Sequence, residues 1–176
     1  AVILRGMPPQ LRDYERIVFF TGAGMSAESG VPTYRGAGGI WKEYDYRRYA
    51  CQEAFDRDPA GVWEFHNYRR GLVAACAPNR GHTIIARAPS LGADVTVVTQ
   101  NIDGLHEISG IPDSLLVNLH GTARETLCLS CAARFASEEI AAAADLSRAV
   151  PACPRCGGLL KPATVSFGQS LAPGDL

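Results

Sequence analysis

The sequence lacks an excess of charge of either sign. It has 17 Lys and Arg against 18 Asp and Glu, a formal net charge of −1 over 176 residues. That balance excludes the broad basic surface with which nucleic-acid-binding proteins neutralise phosphates, so we expect no sequence-specific binding of nucleic acid. A hydrophobic content of 47% and a charged content of 20% also exclude a disordered chain. The length is typical of one domain with its own core.

Long hydrophobic runs are also lacking. No stretch approaches the roughly 18 apolar residues of a membrane helix, so we expect no membrane as a partner. The opening sequence, AVILRGMPPQ, has too few apolar residues before Arg5 for a secretory signal peptide. We therefore expect a cytoplasmic protein.

Three short β-branched runs, separated by helical patterns, predict buried strands. They lie at 17–20, 95–99 and 115–119. The clearest helix begins at Asp58, an N-cap residue that is followed by Pro59 in the first turn. Strands that alternate with helices predict an α/β fold with a parallel, doubly wound sheet.

A glycine-rich turn follows the first predicted strand. Gly22, Gly24 and Ala27 fit the pattern G-x-G-x-x-[GA], in which the backbone approaches a pyrophosphate at a helix N-terminus. The ribose-binding acid of a dehydrogenase is missing, since Glu43 and Asp45 end no obvious strand. A glycine-rich turn that binds no ligand is the alternative.

Polar side chains follow the second predicted strand. Gln100, Asn101 and Asp103 come just past its carboxyl end, and the ligand crevice of an open α/β sheet lies outside such ends. We expect these side chains to contact a ribose or a reacting centre. Side chains that only stabilise a turn are the alternative.

A histidine ends the third predicted strand at the same edge of the sheet. His120 is the candidate general base, because an unperturbed histidine titrates near neutral pH. His66 competes with it, and so do His82 and His106, whose positions favour packing or helix capping.

The six cysteines fall into two groups. Four of them form two CxxC pairs, at Cys128, Cys131, Cys153 and Cys156. The 21 residues between the pairs are close to the spacing of a zinc ribbon, and without a signal peptide such pairs favour a metal over disulfides. Four thiolates fill a tetrahedral zinc site, so its role is structural, in a small module that also holds a helix from Ser137 to about Arg148. Disulfides or iron are the alternatives, and Cys51 and Cys76 are expected to be packed or free thiols.

Together these motifs resemble the sirtuins, the NAD-dependent protein-lysine deacylases, and among them the class III deacetylase and desuccinylase subgroup. The matching motifs are GAGMSAESGVPTYRG, TQNIDGLH, the pair His120-Gly121, the four cysteines in order, and LKPATVSFGQ. The match runs from about Arg16 to Leu171. It implies a Rossmann-like NAD-binding domain, a smaller zinc-bearing module, and an active site in the cleft between them.

The resemblance divides the chain into three parts. Residues 1–37, 76–123 and 160–176 would form the Rossmann-like domain, residues 38–75 the helical part of a small domain with the acyl pocket, and residues 124–159 the zinc-binding module. Family members continue beyond the last motif with further strands. We therefore expect a sheet that is incomplete on its C-terminal side, with an exposed edge, weak NAD binding and poor stability.

The resemblance assigns cofactor-binding residues to the glycine-rich turn, the loop after it and the end of the second strand. They are Gly22, Ala23, Gly24, Ser26, Pro32, Tyr34, Arg35, Gln100, Asn101 and Asp103. His120, Asn101 and Asp103 would be catalytic. NAD would be a consumed co-substrate of a sirtuin-type acyltransferase. The acyl oxygen attacks the ribose carbon that carries nicotinamide, His120 activates a ribose hydroxyl, and water releases lysine and O-acyl-ADP-ribose.

Acyl-lysine peptides or proteins are the implied partners. The backbone around Val165, Phe167 and Gly168 would pair with the peptide as an added strand. This chain has Ser166 and Gln169 where the family more often has an aromatic residue and Glu. We expect these departures to affect peptide preference more than chemistry.

Ala37, His66 and Arg69 resemble the acyl pocket of the subgroup that removes succinyl and malonyl groups. His66 and Arg69 share a helix face, the arginine suits a carboxylate, and the small Ala37 leaves room for a longer chain. The subgroup has Tyr where this chain has His66, so we expect His66 to act as a partial, pH-dependent substitute donor. A solvated polar helix face is the alternative.

Two other functions fit the same motifs. ADP-ribosyl transfer would use the same activation of NAD with a different acceptor. A noncatalytic module that is held together by zinc would bind NAD or ADP-ribose without turnover.

Overall fold

A three-stranded parallel sheet forms one half of the structure, a computed structural model that describes residues 10, 13–36, 39–143 and 150–170. Its strands are β1 (Arg16–Thr21), β2 (Asp94–Thr99) and β3 (Leu116–Asn118), in the order β1-β2-β3. Parallel pairing brings the three carboxyl ends to one edge. These are the three strands that the sequence predicted, so the predicted α/β class is confirmed.

Helices connect the strands, and most of them lie between β1 and β2 in the chain. They are α1 (Ala23–Ala27), α2 (Tyr46–Tyr49), α3 (Gln52–Arg57), α4 (Pro59–Ala74), α5 (Arg80–Arg87), α6 (Leu105–Ile108) and α7 (Ser137–Ala143). The start of α4 is as predicted, because the Asp58 side chain accepts from the Gly61 N–H at 3.0 Å. The predicted continuation of α7 toward Arg148 lies outside the described residues.

A second, antiparallel sheet holds the cysteine pairs. Its strands are β4 (Gly121–Cys128), β5 (Arg134–Ala136) and β6 (Leu160–Thr164), with β4 in the centre. The strand β6 therefore pairs with β4 and not with the parallel sheet. The domain boundaries drawn from the sequence stay a prediction.

Two separate clusters of buried apolar side chains pack against the two sheets, one cluster on each sheet. One lies against the parallel sheet and includes Val95, Val97 and Ile85. The other joins α3 and α4 to the second sheet and includes Trp63, whose Nε1–H donates to the Leu160 carbonyl at 2.9 Å. The site described below lies where elements from these two halves meet.

The strand β1 is the least covered part of the described sheet. Within the described residues it pairs with β2 along one side, and Val18 and Phe20 are 59% and 63% exposed. Among the same residues, no helix is both long and apolar enough to cross a membrane.

Candidate active site

The glycine-rich turn leads from β1 into α1 beside open space. Gly22 is extended, with φ −147° and ψ −171°, and its carbonyl accepts from the Met25 N–H at 2.8 Å. A Cβ at Gly24 would meet no described atom within 4 Å, and one at Gly22 would meet Gln100 Nε2 at 3.7 Å. Because the protein itself leaves this space open, a ligand can approach the backbone closely.

A buried hydrogen-bonded cluster joins α1 to the end of β2. Ser26 Oγ donates to Asp103 Oδ2 at 2.7 Å, while Asn101 Nδ2 donates to Ser26 Oγ at 3.1 Å and to the Gly22 carbonyl at 3.0 Å. Asp103 Oδ1 accepts from the Leu105 N–H at 3.0 Å. Ser26, Asn101 and Asp103 are all buried. Their side chains are therefore fixed before any ligand arrives.

One ring nitrogen of His120 has no hydrogen-bond partner among the described residues. Its Nδ1 lies 2.9 Å from the Gln100 carbonyl oxygen. A carbonyl oxygen only accepts, so Nδ1 carries the proton and Nε2 keeps its lone pair. That tautomer is the form in which a neutral histidine acts as a general base.

The two competing histidines His82 and His106 have structural contacts instead, as their positions suggested. Both are buried. His82 Nδ1 accepts from the Asn79 N–H at 3.3 Å at the start of α5, and His106 Nε2 lies 3.0 Å from Thr21 Oγ1. Neither ring lines the cavity described below.

The loop after α1 brings an aromatic side chain to the site. Tyr34 stacks on Trp41 with ring centroids 5.3 Å apart, and its carbonyl accepts from the Trp41 N–H at 3.2 Å. The Arg69 guanidinium lies over the Tyr34 ring, 4.6 Å from its centroid. Arg35, in contrast, is exposed. Tyr34 thus connects this loop to α4.

The polar residues of α4 face inward. His66 is 9% exposed and Arg69 7%, so the alternative of a solvated helix face is wrong. Arg69 Nη1 is buried and has no hydrogen-bond partner among the described residues. Ala37, the third residue of the predicted acyl pocket, lies outside the described residues.

The electrostatics of His66 correct one expectation. Burial, and then the charges of Arg70, Arg69 and Lys161, lower its pKa to about 3. The ring is therefore neutral throughout the physiological range. The expectation that His66 is a pH-dependent donor is wrong, although a neutral imidazole still has one N–H to donate.

The segment 165–168 runs beside His120. The Val165 N–H donates to the His120 carbonyl at 2.9 Å, and the Phe167 N–H donates to the Ala50 carbonyl at 2.7 Å. The Gln52 N–H in turn donates to the Phe167 carbonyl at 3.2 Å. The segment is thus hydrogen-bonded on both sides, to the start of β4 and to the region around α3.

One cavity of about 1480 Å³ joins all these features. Every residue that the sequence predicted to bind cofactor or substrate lines it, apart from Ala37. Its volume exceeds the roughly 300–1,000 Å³ of an ordinary small-molecule site. It has room for a dinucleotide together with a second ligand.

The four CxxC sulfurs converge in the second sheet. Cys128 and Cys156 Sγ lie 3.5 Å apart, Cys131 and Cys153 Sγ lie 3.8 Å apart, and all four lie within 4.8 Å of one another. Zn–S bonds of about 2.3 Å in a tetrahedron separate the sulfurs by about 3.8 Å. The distances and the donor set therefore fit zinc.

Backbone amides support the charged form of one of these thiols. N–H groups of Cys131 and Ser130 point at Cys128 Sγ at 3.5 and 3.4 Å. Led by the Cys131 amide, these bonds lower the pKa of Cys128 to about 6. A thiolate is the form that ligates zinc. Cys51 and Cys76 are free thiols outside this cluster, as the sequence suggested.

The sequence analysis missed Lys161, which does not line the cavity itself but contacts Gln169, a residue that does. Lys161 is buried in β6, and its ammonium contacts the side chains of Gln52 and Gln169. The available signal was a lysine within the otherwise apolar run LLKPA. Lysine is rarely buried without a reason.

Comparison with known proteins gives the family. A family profile described as Sir2 family matches residues 22–175. The NAD-dependent protein deacylase of Aeropyrum pernix is 44% identical over 88% of this chain and 60% of its own length. The mitochondrial NAD-dependent protein deacylase sirtuin-5 of Canis lupus familiaris is 41% identical over 92% of this chain and 59% of its own length.

A solved structure supports the same grouping. The crystal structure of a Sir2 homologue in complex with NAD is 38% identical, with a TM-score of 0.81, over 94% of this chain and 62% of that one. A parallel sheet with an adjoining four-cysteine module defines the class of protein. The chain belongs to the Sir2 family, and it spans about three fifths of the length of the curated relatives it matches.

Proposed function

We propose that this chain carries the machinery for NAD-dependent removal of acyl groups from protein lysine side chains. The main observation behind the proposal is that His120, whose Nε2 has no partner in the described part of the chain, lines the same cavity as the buried cluster of Ser26, Asn101 and Asp103. The relatives named NAD-dependent protein deacylases, and the homologue that holds NAD, support it.

In this proposal the fixed polar cluster orients NAD, the consumed co-substrate. NAD supplies a ribose carbon with nicotinamide as its leaving group. Asn101 and Asp103 hold the ribose and nicotinamide end, while the turn around Gly22 and Gly24 accommodates the pyrophosphate. His120 Nε2 takes the proton of a ribose hydroxyl, and the Gln100 carbonyl stabilises the imidazolium that results. With the uptake of one water, the products are nicotinamide, free lysine and O-acyl-ADP-ribose.

We propose a structural role for zinc. The ion would be held by the four cysteines, which leave no open coordination position for substrate. The predicted partners are acyl-lysine peptides or proteins that bind along Val165, Phe167 and Gly168. A cytoplasmic location stays a prediction of the sequence.

We further propose that Arg69 recognises the acyl group and selects for a carboxylate at its end. Its Nη1 is buried in the cavity without a described partner, and Tyr34 fixes its guanidinium by stacking. A buried, unpaired guanidinium suits a carboxylate, because an anion both neutralises it and satisfies its donors. Succinyl and malonyl groups carry such a carboxylate, and acetyl does not. His66 would add one neutral N–H.

The test compares acetyl and succinyl forms of one peptide. Arg69→Met should lower kcat/KM on the succinyl peptide by about tenfold or more, the size of one charge-assisted hydrogen bond, and leave the acetyl peptide within about twofold. Arg48→Met is the matched control, since Arg48 also stacks on a tyrosine but is exposed. Equal losses on both peptides would show that Arg69 does not read the acyl group.

Nicotinamide release separates deacylation from its two rivals. Deacylation predicts a steady-state release of nicotinamide that requires an acyl-lysine peptide. Because each turnover needs His120 after nicotinamide has left, this steady-state rate should fall by about 10²–10⁴-fold in His120→Ala, whereas NAD binding measured by calorimetry persists. Release without peptide would favour ADP-ribosyl transfer. Binding of NAD or ADP-ribose with no release under either condition would favour a noncatalytic module.

A further inference from the structure

Lys161 is a buried cation within β6. Its side chain is 4% exposed, and the neighbouring Leu160 is fully buried. The Phe55 ring of α3 lies 5.8 Å from its ammonium nitrogen. A charged group in such a place has lost most of its hydration, which costs free energy unless strong partners replace the water.

The partners of Lys161 are neutral. Its ammonium donates to Gln52 Oε1 and to Gln169 Oε1, both at 2.9 Å. Among the described residues no carboxylate lies within ion-pair distance of it. The acid that acts electrostatically on it is Asp56, whose carboxylate accepts from Gln52 Nε2 at 2.8 Å. Two amide dipoles thus stand where an ion pair would be expected.

The Gln169 side chain connects Lys161 to the turn that follows Val165. Gln169 Oε1 also accepts from the Ser166 N–H at 3.2 Å, and the Gln169 N–H donates to the Ser166 carbonyl at 3.0 Å. On the other side, the Gln52 N–H donates to the Phe167 carbonyl at 3.2 Å. Lys161 therefore bonds both residues that hold the turn, one in α3 and one in the turn itself.

Stability alone does not explain a lysine here. A methionine has a similar length, needs no hydration and would suit the apolar neighbours, and replacing buried charges by apolar groups is often neutral or stabilising. Methionine cannot donate to two amide oxygens at once. The property that only the lysine supplies is the connection between Gln52 and Gln169.

We propose that Lys161 is a positioning residue for the acyl-lysine peptide, acting through Gln169 to hold the turn 166–169 in the shape that accepts an added strand. This inference rests on the proposed function. The turn follows Val165, whose N–H is bonded to His120, so its shape sets where the peptide backbone lies relative to the general base.

The proposal predicts opposite effects on peptide binding and stability. Lys161→Met should raise the KM for an acetyl-lysine peptide by about tenfold, the size of one hydrogen bond to a charged group, and leave the KM for NAD within about twofold. Hydrogen exchange at the Ser166 amide should quicken by a similar factor. The thermal midpoint should stay the same or rise. Lys42→Met, at an exposed lysine, is the control for all three measurements.

A second variant keeps the contact and adds charge. Gln169→Glu retains an acceptor for Lys161 and for the Ser166 N–H, so the peptide KM and Ser166 exchange should stay at or below the wild-type values. The inference fails if Lys161→Met leaves peptide KM and Ser166 exchange unchanged, or if it lowers the midpoint and raises both KM values together. The proposed function fails instead, and this inference with it, if the wild type shows no peptide-dependent release of nicotinamide.

Discussion

At the scale of single residues, Gly121 fixes His120 against the second sheet. Its φ is +70°, and a Cβ there would collide with the Ala163 carbonyl oxygen across the β4–β6 pair. Gly121→Ala should therefore lower the free energy of unfolding by more than the roughly 1–2 kcal/mol of left-handed strain alone. Urea unfolding measures this loss, and the rate of nicotinamide release should fall with it because His120 moves.

A second glycine allows the cost of backbone strain to be measured without the cost of a steric clash. Gly110 has φ +90° and no described atom within 4 Å of its Cβ position, so Gly110→Ala should show the strain term without the collision. If Gly121→Ala lowers the free energy of unfolding by no more than Gly110→Ala does, then β6 moves aside at no cost and the clash is unimportant.

At the scale of elements, the start of α5 is predicted to be sensitive to acid. Asn79 caps the helix and also donates to the Met25 carbonyl of α1 at 2.7 Å, while His82 Nδ1 accepts from the Asn79 N–H. Burial lowers the pKa of His82, with Asp103 opposing, and burial followed by the charge of His82 lowers the pKa of His106 to about 4. Protonation of His82 Nδ1 would remove the acceptor of this capping bond.

The direction of the pH effect on stability follows from the linkage between proton binding and folding. Both folded pKa values lie below the value near 6.5 of an unfolded histidine, so the unfolded state takes up protons first. The contribution of both histidines is complete above about pH 6.5 and is lost as the pH falls, for His106 toward about 4. Urea unfolding between pH 7.5 and 4 should show a steeper decline in the wild type than in the double variant His82→Gln and His106→Gln. Parallel curves would contradict the prediction.

Local elements were predictable from the sequence because their signals are local. The cap at Asp58 and the β-branched runs each act within a few residues, and the structure has α4 and the three parallel strands where these signals lie. The inward direction of Arg69 was expected only from the family resemblance, because polar residues on a helix normally face water. Burial of Lys161 depends on Gln52, which lies far away in the sequence. Such contacts exist only once the chain has folded.

At the scale of the whole molecule, the two sheets have separate cores. The cluster against the parallel sheet includes Val95 and Val97, whereas Cys128 and Cys153 lie in the other cluster beside Trp63. Two of the four cysteines are therefore both core residues and proposed metal ligands. Removal of the metal leaves four thiols that no longer need to converge, and it acts on one core only.

Chelation of zinc should consequently unfold the second sheet before the first. In the variant Trp41→Phe, whose fluorescence reports Trp63 alone, a strong chelator should shift the emission to the red as the Leu160 bond breaks. Hydrogen exchange at Val95 and Val97 should stay slow at the same chelator concentration, because their cluster contains no ligand. Cys153→Ser should reproduce the chelated state without chelator, whereas Cys51→Ser, which packs against the same cluster but lies outside the four sulfurs, should keep both the zinc and the wild-type emission. Simultaneous loss of protection at β2 would mean that the two sheets unfold as one cooperative unit.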